Sequence, residues 1–561
     1  MSLKASPRRI LGCLLFSLVL SFFSCAAAQE KNEAIASAHP LATAAGHEIL
    51  GRGGNAFDAA VAVAAVLAVV EPYSSGLGGG ALWLLHRAAD GGEVMVDGRE
   101  TAPRNASTGL YLDREGNPVR GASTQGGKSA AIPGAPAALA HVAARYGRLP
   151  LREQLGPAAR HAREGFAVDA RYARIAKLRE RLLQANAEAA RVFLDGDRVP
   201  QPGFVLRQPA LAATLERIAA EGRDGFYRGE VAQALLEAVN RAGGVWRPSD
   251  LAGYRLVERE PVRFRYRGAS VIAASLPSAG GIALAQALNI LERFDLSDPR
   301  APRDAHLVVE ALRRAFQDRA LHLGDSDFVK VPVAALVSKE YAGRRAASID
   351  PAAATKSERL GAERLAAAES DNTTHLSVID AEGNRVAATL SINGLFGSGI
   401  VAAGVLVNNE MDDFTLRPDL PDAYGLRGGD ANAIAPGKRP LSSMTPVFVE
   451  DDEGVLILGA PGGPRIVSQV LLAILDYVHG REVHLKRMVS APRYHHQWWP
   501  DRVEVEPEAF PAEWRAALEA KGHKLKTAKR KWGNMQVVFR SKRDGRAVAA
   551  SDPRGADVGW Y

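Results

Sequence analysis

The sequence predicts an α+β fold, with helices dominating the first two thirds of the chain and strands the last third. From Glu33 to about Asp350 it consists mostly of Ala-rich amphipathic segments with helical spacing. After Thr373, short β-branched and apolar runs are separated by turn residues. With 561 residues, 47% of them hydrophobic and 24% charged, the chain has ample material for a large core.

The first 28 residues have the pattern of a secretory signal peptide. Lys4, Arg8 and Arg9 precede an apolar run over 10–23, and Ala26-Ala27-Ala28 offers a cleavage site with small residues. We therefore expect residues 1–28 to be removed. The protein would be exported, to the periplasm or the medium, without a membrane anchor.

Both cysteines, Cys13 and Cys25, fall inside this leader. The mature chain would have none, which excludes disulfides, thiol catalysis and cysteine metal sites. Lipidation at Cys25 is an alternative, although Phe22 and Phe23 fit it poorly. The formal charge of +7 falls to +4 (7 − 3) once the three leader cations are removed. This weak basic excess predicts no nucleic-acid partner.

The first strong helix signal is an almost wholly apolar run from Ala59 to Val70, preceded by Asn55 and Asp58. Such a helix must be buried. Three glycines at 78–80 follow and indicate close backbone packing before a strand at 81–86. Further helices are predicted at Leu151–Gly165, Asp169–Phe193, Ala210–Gly222, Val231–Ala242, Ala279–Arg293, Ala305–Leu323, Arg465–Gly480 and Pro511–Lys521.

Strands are predicted mainly in the last third of the chain. Three strand regions precede it: 81–86, the second strand of its hairpin at 94–99, and the region 262–273. The others are Thr374–Ile379, Arg385–Ile392, Val405–Asn408, Val447–Val449, Val455–Leu458, Val503–Val505 and Gln536–Arg540.

The junction between the two parts is chemically informative. The Ala/Glu/Arg-rich segment 352–370 predicts a solvated arm, and a strand follows it. If the bond between Asn372 and Thr373 were cut, Thr373 would carry both a hydroxyl and a free α-amine. That amine has a pKa of about 7.7–8.0, so it can accept the hydroxyl proton. The local pattern alone favours a plain β-forming Thr pair.

Four motifs in one order extend this interpretation: 371–380, Asn408–Asp413, Pro440–Pro446 and Gly459–Gly463. With them, the chain from about Glu33 to Tyr561 resembles the γ-glutamyltransferase family, self-cleaving hydrolases of the N-terminal-nucleophile type. The resemblance implies a four-layer α/β/β/α sandwich made of a large subunit, 29–372, and a small catalytic subunit, 373–561. The strand count alone would fit other α+β folds equally well.

The resemblance also implies catalytic roles. Thr373 would be the nucleophile and, through its amine, the base, with Thr374 and Ser391 supporting it. Gly462 and Gly463 would supply backbone N–H groups to the oxyanion, and the dipole of the helix that follows would add to them. On its own, the stretch 461–464 is only a turn signal.

Recognition of a free amino-acid head requires a cationic and an anionic partner. The resemblance assigns the α-carboxylate to Arg99, Ser442 and Ser443, and the α-amino group to Asn393, Glu410 and Asp413. A guanidinium suits the first task because it binds a carboxylate in bidentate fashion. Tyr424 lies in 418–429, a stretch that resembles a lid over the donor pocket.

The implied protein is an exported, self-processing γ-glutamyltransferase and glutathione hydrolase. It would pass the γ-glutamyl group through a threonine ester to water, an amino acid or a dipeptide. No cofactor is implied, and its partners would be small substrates and its own two subunits. Alternatives are an acylase or poly-γ-glutamate-cleaving relative, or an uncut binding protein of the same fold.

Two further patterns, a set of histidines and a run of basic residues, suggest metal binding and nucleic-acid binding but are better explained otherwise. His495 and His496, with His484 upstream, lack an acid at metal-site spacing, and neighbours on a strand face opposite ways. We expect them to be packed or hydrogen-bonded. The basic run 521–531 is expected to be a solvated face.

Overall fold

Two six-stranded sheets lie face to face at the centre of the protein, and helices cover the outer face of each. The computed structural model describes residues 32–360, 373–416, 428–480 and 483–555. The four layers confirm the predicted α+β sandwich. Within these ranges, no helix has the length and apolar character needed to span a bilayer.

The strands are β1 (Ala34–Ser37), β2 (Gly80–His86), β3 (Glu93–Gly98), β4 (Phe166–Ala167), β5 (Val205–Leu206), β6 (Val257–Arg259), β7 (Val262–Tyr266), β8 (Ala269–Ala273), β9 (Thr374–Ile379), β10 (Arg385–Ser391), β11 (Val401–Ala402), β12 (Val405–Leu406), β13 (Val447–Glu450), β14 (Gly454–Gly459), β15 (Tyr494–His495), β16 (Val503–Val505), β17 (Leu525–Thr527), β18 (Gln536–Ser541) and β19 (Ala547–Ser551).

The α-helices are α1 (Pro40–Gly51), α2 (Ala56–Val70), α3 (Ala135–Tyr146), α4 (Leu151–Glu164), α5 (Ala170–Gln184), α6 (Ala187–Phe193), α7 (Pro209–Glu221), α8 (Asp224–Tyr227), α9 (Gly229–Arg241), α10 (Pro248–Ala252), α11 (Gly280–Leu291), α12 (Pro302–His322), α13 (Val333–Leu336), α14 (Lys339–Ala347), α15 (Arg465–His479), α16 (Leu485–Ser490) and α17 (Ala512–Ala520).

Both sheets combine strands from before and after Thr373. The first has the order β1-β9-β10-β2-β3-β6, and the second β19-β18-β14-β13-β8-β7. In the first sheet, β9 and β10 lie between β1 and β2, and every pairing is antiparallel. The parts of the chain before and after the predicted cleavage point therefore form one common core.

The β9–β10 hairpin separates an apolar face from a polar one. Leu376 and Val378 belong to the core beneath α2, because alternate strand residues point to opposite faces. His375 and Ser377 face the second sheet, where the Ser377 hydroxyl donates to the Gln536 carbonyl at 3.1 Å. Thr373 immediately precedes this strand.

Helix α2 confirms the prediction of a fully buried helix. All 15 of its residues are buried, and it packs against β9 and β10. Asn55 caps its first turn, and Asp58 returns the contact by accepting from the Asn55 N–H at 2.9 Å. The helix ends beside the start of β9 and so supports the strand that follows Thr373.

The glycines at 78–80 make the close approaches that the sequence predicted. A Cβ at Gly78 would lie 2.1 Å from the Leu406 carbonyl oxygen, and one at Gly79 would lie 2.0 Å from that of Ser391. A Cβ at Gly80 would reach the Glu100 carboxylate at 2.2 Å. Only glycine lets β2 pass this close to the end of β10.

Several element predictions were wrong in detail. The single helix predicted at 169–193 is two helices, α5 and α6, separated at 185–186. The short edge strands β1 and β19 were missed because their apolar runs are brief. The strand predicted at 405–408 is only β12, and Asn408 turns its side chain to backbone groups of Gly78 and Ala131.

The predicted solvated arm is anchored over its first part. Ser357 is fully buried, and its hydroxyl donates to the Trp498 carbonyl at 2.7 Å. Its N–H donates to Asp501, while Arg313 donates to its hydroxyl. Composition could not reveal these long-range partners. The remainder of the predicted arm, 361–370, lies outside the described residues.

Replacing Gly79 should disrupt the packing of β2 against β10. We expect Gly79→Ala to lower the free energy of unfolding by about 3 kcal/mol or more, because a backbone carbonyl occupies the space of the new methyl. Gly51→Ala, at the C-terminal end of α1 with open space around it, should instead stabilise by up to about 1 kcal/mol. Thermal unfolding of both variants measures the difference. Equal melting temperatures would contradict it.

Candidate active site

Thr373 lies in the interior at the start of β9, opposite the end of β10. It is 5% exposed, and its hydroxyl is 3.4 Å from that of Ser391. The Ser391 Oγ accepts the Asn393 N–H at 2.9 Å. Asn393 has a positive φ of 64°, which turns the chain sharply after β10. The predicted nucleophile and its predicted support are therefore adjacent.

His375, two residues after Thr373, lies on the same strand face as the hydroxyls of β10. Its ring nitrogens contact the hydroxyls of Thr389 at 2.8 Å and Ser377 at 3.2 Å. Burial lowers the pKa of His375 to about 3, so the ring is neutral. With both nitrogens engaged, His375 is a poor candidate for the base that serves Thr373.

A narrow pocket opens beside Thr373. Its lining joins residues from the ends of β3 and β10, the segment between β12 and β13, the connection from β14 into α15, and α12. The residues are Arg99, Arg319, Thr373, Ser391, Asn393, Glu410, Asp413, Leu441, Ser442, Ser443, Met444, Gly463, Pro464 and Ile466. Eight of the predicted site residues besides Thr373 thus line one cavity, although they span more than 350 positions of the sequence.

Arg99 is at the centre of the charge in this pocket. It is 1% exposed, forms ion pairs with Glu410 and Asp413, and donates from Nε to the Pro440 carbonyl at 3.1 Å. Burial acts to lower the pKa of Arg99, but Glu410, with Glu100 and Asp413, raises it above the ordinary value. Arg99 therefore remains a guanidinium cation.

The acids have the opposite balance. Burial raises the pKa of Glu410, although Arg99 acts to lower it, and burial raises the pKa of Asp413 in the same way. Glu100 is fully buried next to Arg99. Arg99, which was predicted to bind the α-carboxylate, is thus in contact with Glu410 and Asp413, which were predicted to bind the α-amino group.

Local structure holds these acids in place. Glu410 and Asp413 lie at the two ends of a short 3₁₀ helix, Glu410–Asp413. The Asn408 side-chain oxygen accepts the Glu410 N–H at 2.9 Å, and the Asn432 amide donates to the Asp413 carbonyl at 2.8 Å. The two carboxylates can therefore point together at Arg99.

Ser442 and Ser443 lie in an ordered loop next to β13. The Ser442 N–H donates to the Pro277 carbonyl at 2.9 Å, and the Ser442 carbonyl accepts the Ala279 N–H at 2.9 Å. Its hydroxyl accepts the Met444 N–H at 3.0 Å. This pairing with the segment before α11 fixes the loop at the wall of the pocket.

Gly462 and Gly463 lie between β14 and α15. Both have positive φ, 129° and 54°, a conformation that favours glycine. Gly463 lines the pocket, whereas Gly462 is the residue before it. Helix α15 begins two residues later, so its positive dipole end points toward the pocket side.

Comparison with known proteins identifies the family. The gamma-glutamyltranspeptidase family matches residues 42–560. The glutathione hydrolase proenzyme of Escherichia coli is 41% identical over 534 residues, 94% of this chain and 91% of that protein. The chain belongs to the γ-glutamyltranspeptidase family. This confirms the predicted family and the predicted class of enzyme, a γ-glutamyltransferase.

Acylases also resemble this γ-glutamyltranspeptidase. The acylase ACY 1 proenzyme of a Pseudomonas species is 40% identical over 511 residues, 89% of this chain and 88% of that protein. The crystal structure of cephalosporin acylase from Bacillus halodurans superposes with a TM-score of 0.82 at 29% identity, covering 95% of this chain and 96% of that one. The relatives of this chain thus include both proteins named glutathione hydrolases and proteins named acylases.

Two of the predicted site residues of this γ-glutamyltranspeptidase, Asn372 and Tyr424, lie outside the described residues. Thr374 does not line the pocket. Its side chain turns to the opposite strand face, where the hydroxyl donates to Glu71 at 2.8 Å. Its predicted support of Thr373 would therefore be indirect.

Arg319 and Glu71 were not predicted from the sequence. Arg319 lines the pocket from α12 and acts to lower the pKa of Asp413. Its helix contains many charges, so no pattern distinguished it from a solvated residue. Glu71 gave a signal that could have been used, since an acid that ends an apolar helix opposes the helix dipole.

One group of side chains has the composition of a metal site. His306, Glu310 and His523 place ligand atoms within 4.8 Å of one another. However, His306 Nδ1 and His523 Nε2 are hydrogen-bonded to each other at 2.7 Å. Arg313 and Arg314 both form ion pairs with Glu310. These guanidinium groups oppose a further cation, so the cluster is better explained as a structural network.

His495 and His496 are hydrogen-bonded, as predicted. His495 contacts the Ser468 hydroxyl and the Gln497 amide oxygen, each at 2.8 Å. His496 contacts Asp501 at 3.3 Å. Most of the basic run 521–531 is exposed, in agreement with a solvated face.

Removing the guanidinium of Arg99 should weaken donor binding. We expect Arg99→Ala to raise KM for γ-glutamyl donors by about 10-fold to 100-fold, the effect of losing a charge-assisted hydrogen bond. Steady-state kinetics of the processed enzyme measures it. Arg104→Ala is the control, since that side chain is 64% exposed and does not line the pocket. An unchanged KM in Arg99→Ala would reject the role.

Proposed function

We propose that this chain cuts itself before Thr373 and then works as an exported γ-glutamyltransferase and glutathione hydrolase. The main support is the meeting of Thr373, Arg99 and the Glu410–Asp413 pair in one buried pocket. The first is a nucleophile, and the others match the two charges of an amino-acid head group.

Self-cleavage would begin with attack of the Thr373 hydroxyl on the Asn372 carbonyl carbon. The bond between the Asn372 carbonyl carbon and the Thr373 nitrogen breaks, and the nitrogen takes up the proton that the hydroxyl loses. Asn372 is then joined to the threonine oxygen as an ester. Water then hydrolyses this ester. The products are a large subunit ending at Asn372 and a small subunit with a free amine at Thr373.

In turnover, the Thr373 amine would take the hydroxyl proton as the oxygen attacks the γ-carbonyl of the donor. The oxyanion would be stabilised by the N–H groups of Gly462 and Gly463. The amine then returns the proton to the leaving nitrogen, which gives a γ-glutamyl ester. Water or the amine of an acceptor amino acid or dipeptide releases the γ-glutamyl group.

The amino-acid head group of the donor would replace the ion pairs of Arg99 with Glu410 and Asp413 by ion pairs of its own. Its α-carboxylate would take a place on Arg99, with Ser442 and Ser443 donating hydroxyl hydrogens. Its α-ammonium would bind Glu410 and Asp413, with Asn393 beside them. A zwitterion suits this pocket because its carboxylate provides a partner for Arg99 and its ammonium provides one for the acids that Arg99 leaves.

The subunit boundaries follow from the same proposal. Removal of 1–28 and cleavage before Thr373 would leave chains 29–372 and 373–561, which remain associated as a heterodimer. Both sheets take strands from both chains, so separating them would break the pairing of β1 with β9 and of β2 with β10. Residues 1–28 would direct the protein out of the cytoplasm.

Changing the nucleophile should stop both processing and turnover. We expect Thr373→Ala to give one uncut chain without γ-glutamyl transfer activity, because the variant has no hydroxyl to attack the Asn372 carbonyl. Thr373→Ser keeps a hydroxyl and should still be cut. Denaturing electrophoresis and a donor assay measure both properties. Full processing of Thr373→Ala would refute the assignment.

An acylase activity is the second candidate, since acylases of this family are close in sequence and structure. Glutaryl amides lack the α-amino group, so they would leave Glu410 and Asp413 without their cation. We therefore expect kcat/KM for a γ-glutamyl anilide to exceed that for the matching glutaryl anilide by at least about 100-fold. A ratio near one would favour the acylase.

A further inference from the structure

Glu71 is a buried carboxylate whose position needs an explanation. It is fully buried at the C-terminal end of α2, where the helix dipole disfavours a negative charge. Burial raises the pKa of Glu71, and the Arg171 guanidinium acts in the opposite direction. An acid retained in such a place is a candidate for a functional role.

The carboxylate of Glu71 is held by three groups from different elements. Arg171 of α5 donates to Oε1 at 2.8 Å, and the Tyr73 hydroxyl donates to the same oxygen at 3.2 Å. The other oxygen, Oε2, accepts the Thr374 hydroxyl at 2.8 Å. Arg171 also lies over the Tyr73 ring, 5.4 Å from its centroid. The guanidinium contact supports an ionised Glu71.

This contact crosses the proposed cleavage point. Glu71 precedes Thr373 in the chain, and Thr374 is the residue directly after the proposed nucleophile. Once the bond before Thr373 is cut, the start of β9 is a chain end, and chain ends fray unless side chains or pairing hold them. The Thr374 hydroxyl ties that end to the large subunit on the face opposite the pocket.

We infer that Glu71 is a positioning residue: through Thr374 it fixes the start of β9, and it places a negative charge behind the Thr373 amine. The inference rests on the proposed role of Thr373. Nothing in it requires Glu71 to touch the substrate, because Glu71 does not line the pocket. Its effect should therefore fall on kcat and on the amine, and not on donor binding.

The charge of Glu71 has a defined consequence for pH dependence. A negative charge stabilises the ammonium form of Thr373, so its removal lowers the pKa of that amine. Since the neutral amine is the base, the acidic limb of the kcat/KM profile should then move to lower pH. Arg171, Asp169 and Tyr73 act on Glu71 from its own side.

The opposite side of Thr373 faces the charged groups of the pocket, which are Arg99, Arg319, Glu410 and Asp413. Replacing Glu71 or Thr374 changes none of these side chains. A difference in pH profile between such variants and the parent enzyme therefore reports the charge of Glu71.

The test compares Glu71→Gln with Thr374→Val in the processed enzyme. Glu71→Gln keeps the size and an acceptor oxygen but loses the charge and the ion pair with Arg171. We expect kcat to fall by about 10-fold, since small displacements of a nucleophile are costly, with KM unchanged within about twofold. The acidic limb should move down by roughly half a pH unit.

Thr374→Val removes the hydroxyl and leaves the charge. It should lower kcat by a similar factor without moving the acidic limb. Both changes act on the same Glu71–Thr374 contact, so the double variant should lose less kcat than the product of the two single losses. Asp58→Asn, at the other end of α2, is the control; it removes a buried cap and should lower the melting temperature without altering the pH profile or kcat.

Two results would overturn the inference. One is a processed Glu71→Gln enzyme with unchanged kcat and pH profile. The other is a double variant whose loss of kcat is the product of the two single losses. If Glu71→Gln does not fold, an unchanged kcat in Thr374→Val overturns it and a reduced kcat with an unmoved acidic limb supports it. Failure of the parent chain to cut would instead refute the proposed function.

Discussion

The pairing of β9 with β1 on one side and β10 on the other is the constraint on which the site depends. It fixes Thr373 beside Ser391 and points alternate residues toward the second sheet. A chain end at Thr373 would therefore emerge beside β10, three residues before the point at which β9 is paired on both sides. Cleavage there could free an amine without loosening the strand that bears it.

Charge balance is the second organising feature. Arg99 is buried among Glu410, Asp413 and Glu100, so the pocket has more acids than this one guanidinium can satisfy, and Arg319 adds a further cation beside Asp413. Buried charges are costly unless paired. Such a pocket favours a ligand that has both signs of charge close together, which describes an amino-acid head group better than a simple acyl chain.

Sequence alone could predict elements with strong local signals. The apolar run of α2, the glycines beside β10 and the β9–β10 hairpin were predicted because each depends on neighbouring residues. Arg99, Glu410 and Ser442 were assigned only through family resemblance, since each alone looks like a surface charge or a loop. The place of Arg319 in the pocket and the anchoring of Ser357 depend on partners distant in the chain, which no local pattern indicates. Glu71 gave a local signal as an acid at the end of an apolar helix, but its contact with Thr374 is equally distant in the chain.

The most direct test of this account is the intact mass and amino-terminal sequence of the purified parent protein. We expect two chains in equal amount, the smaller one beginning at Thr373 and spanning 189 residues, 561 − 373 + 1. That result would place a free amine on the residue that faces Ser391 and the pocket. A single stable chain running through Thr373 would contradict it, because the proposed base would never form.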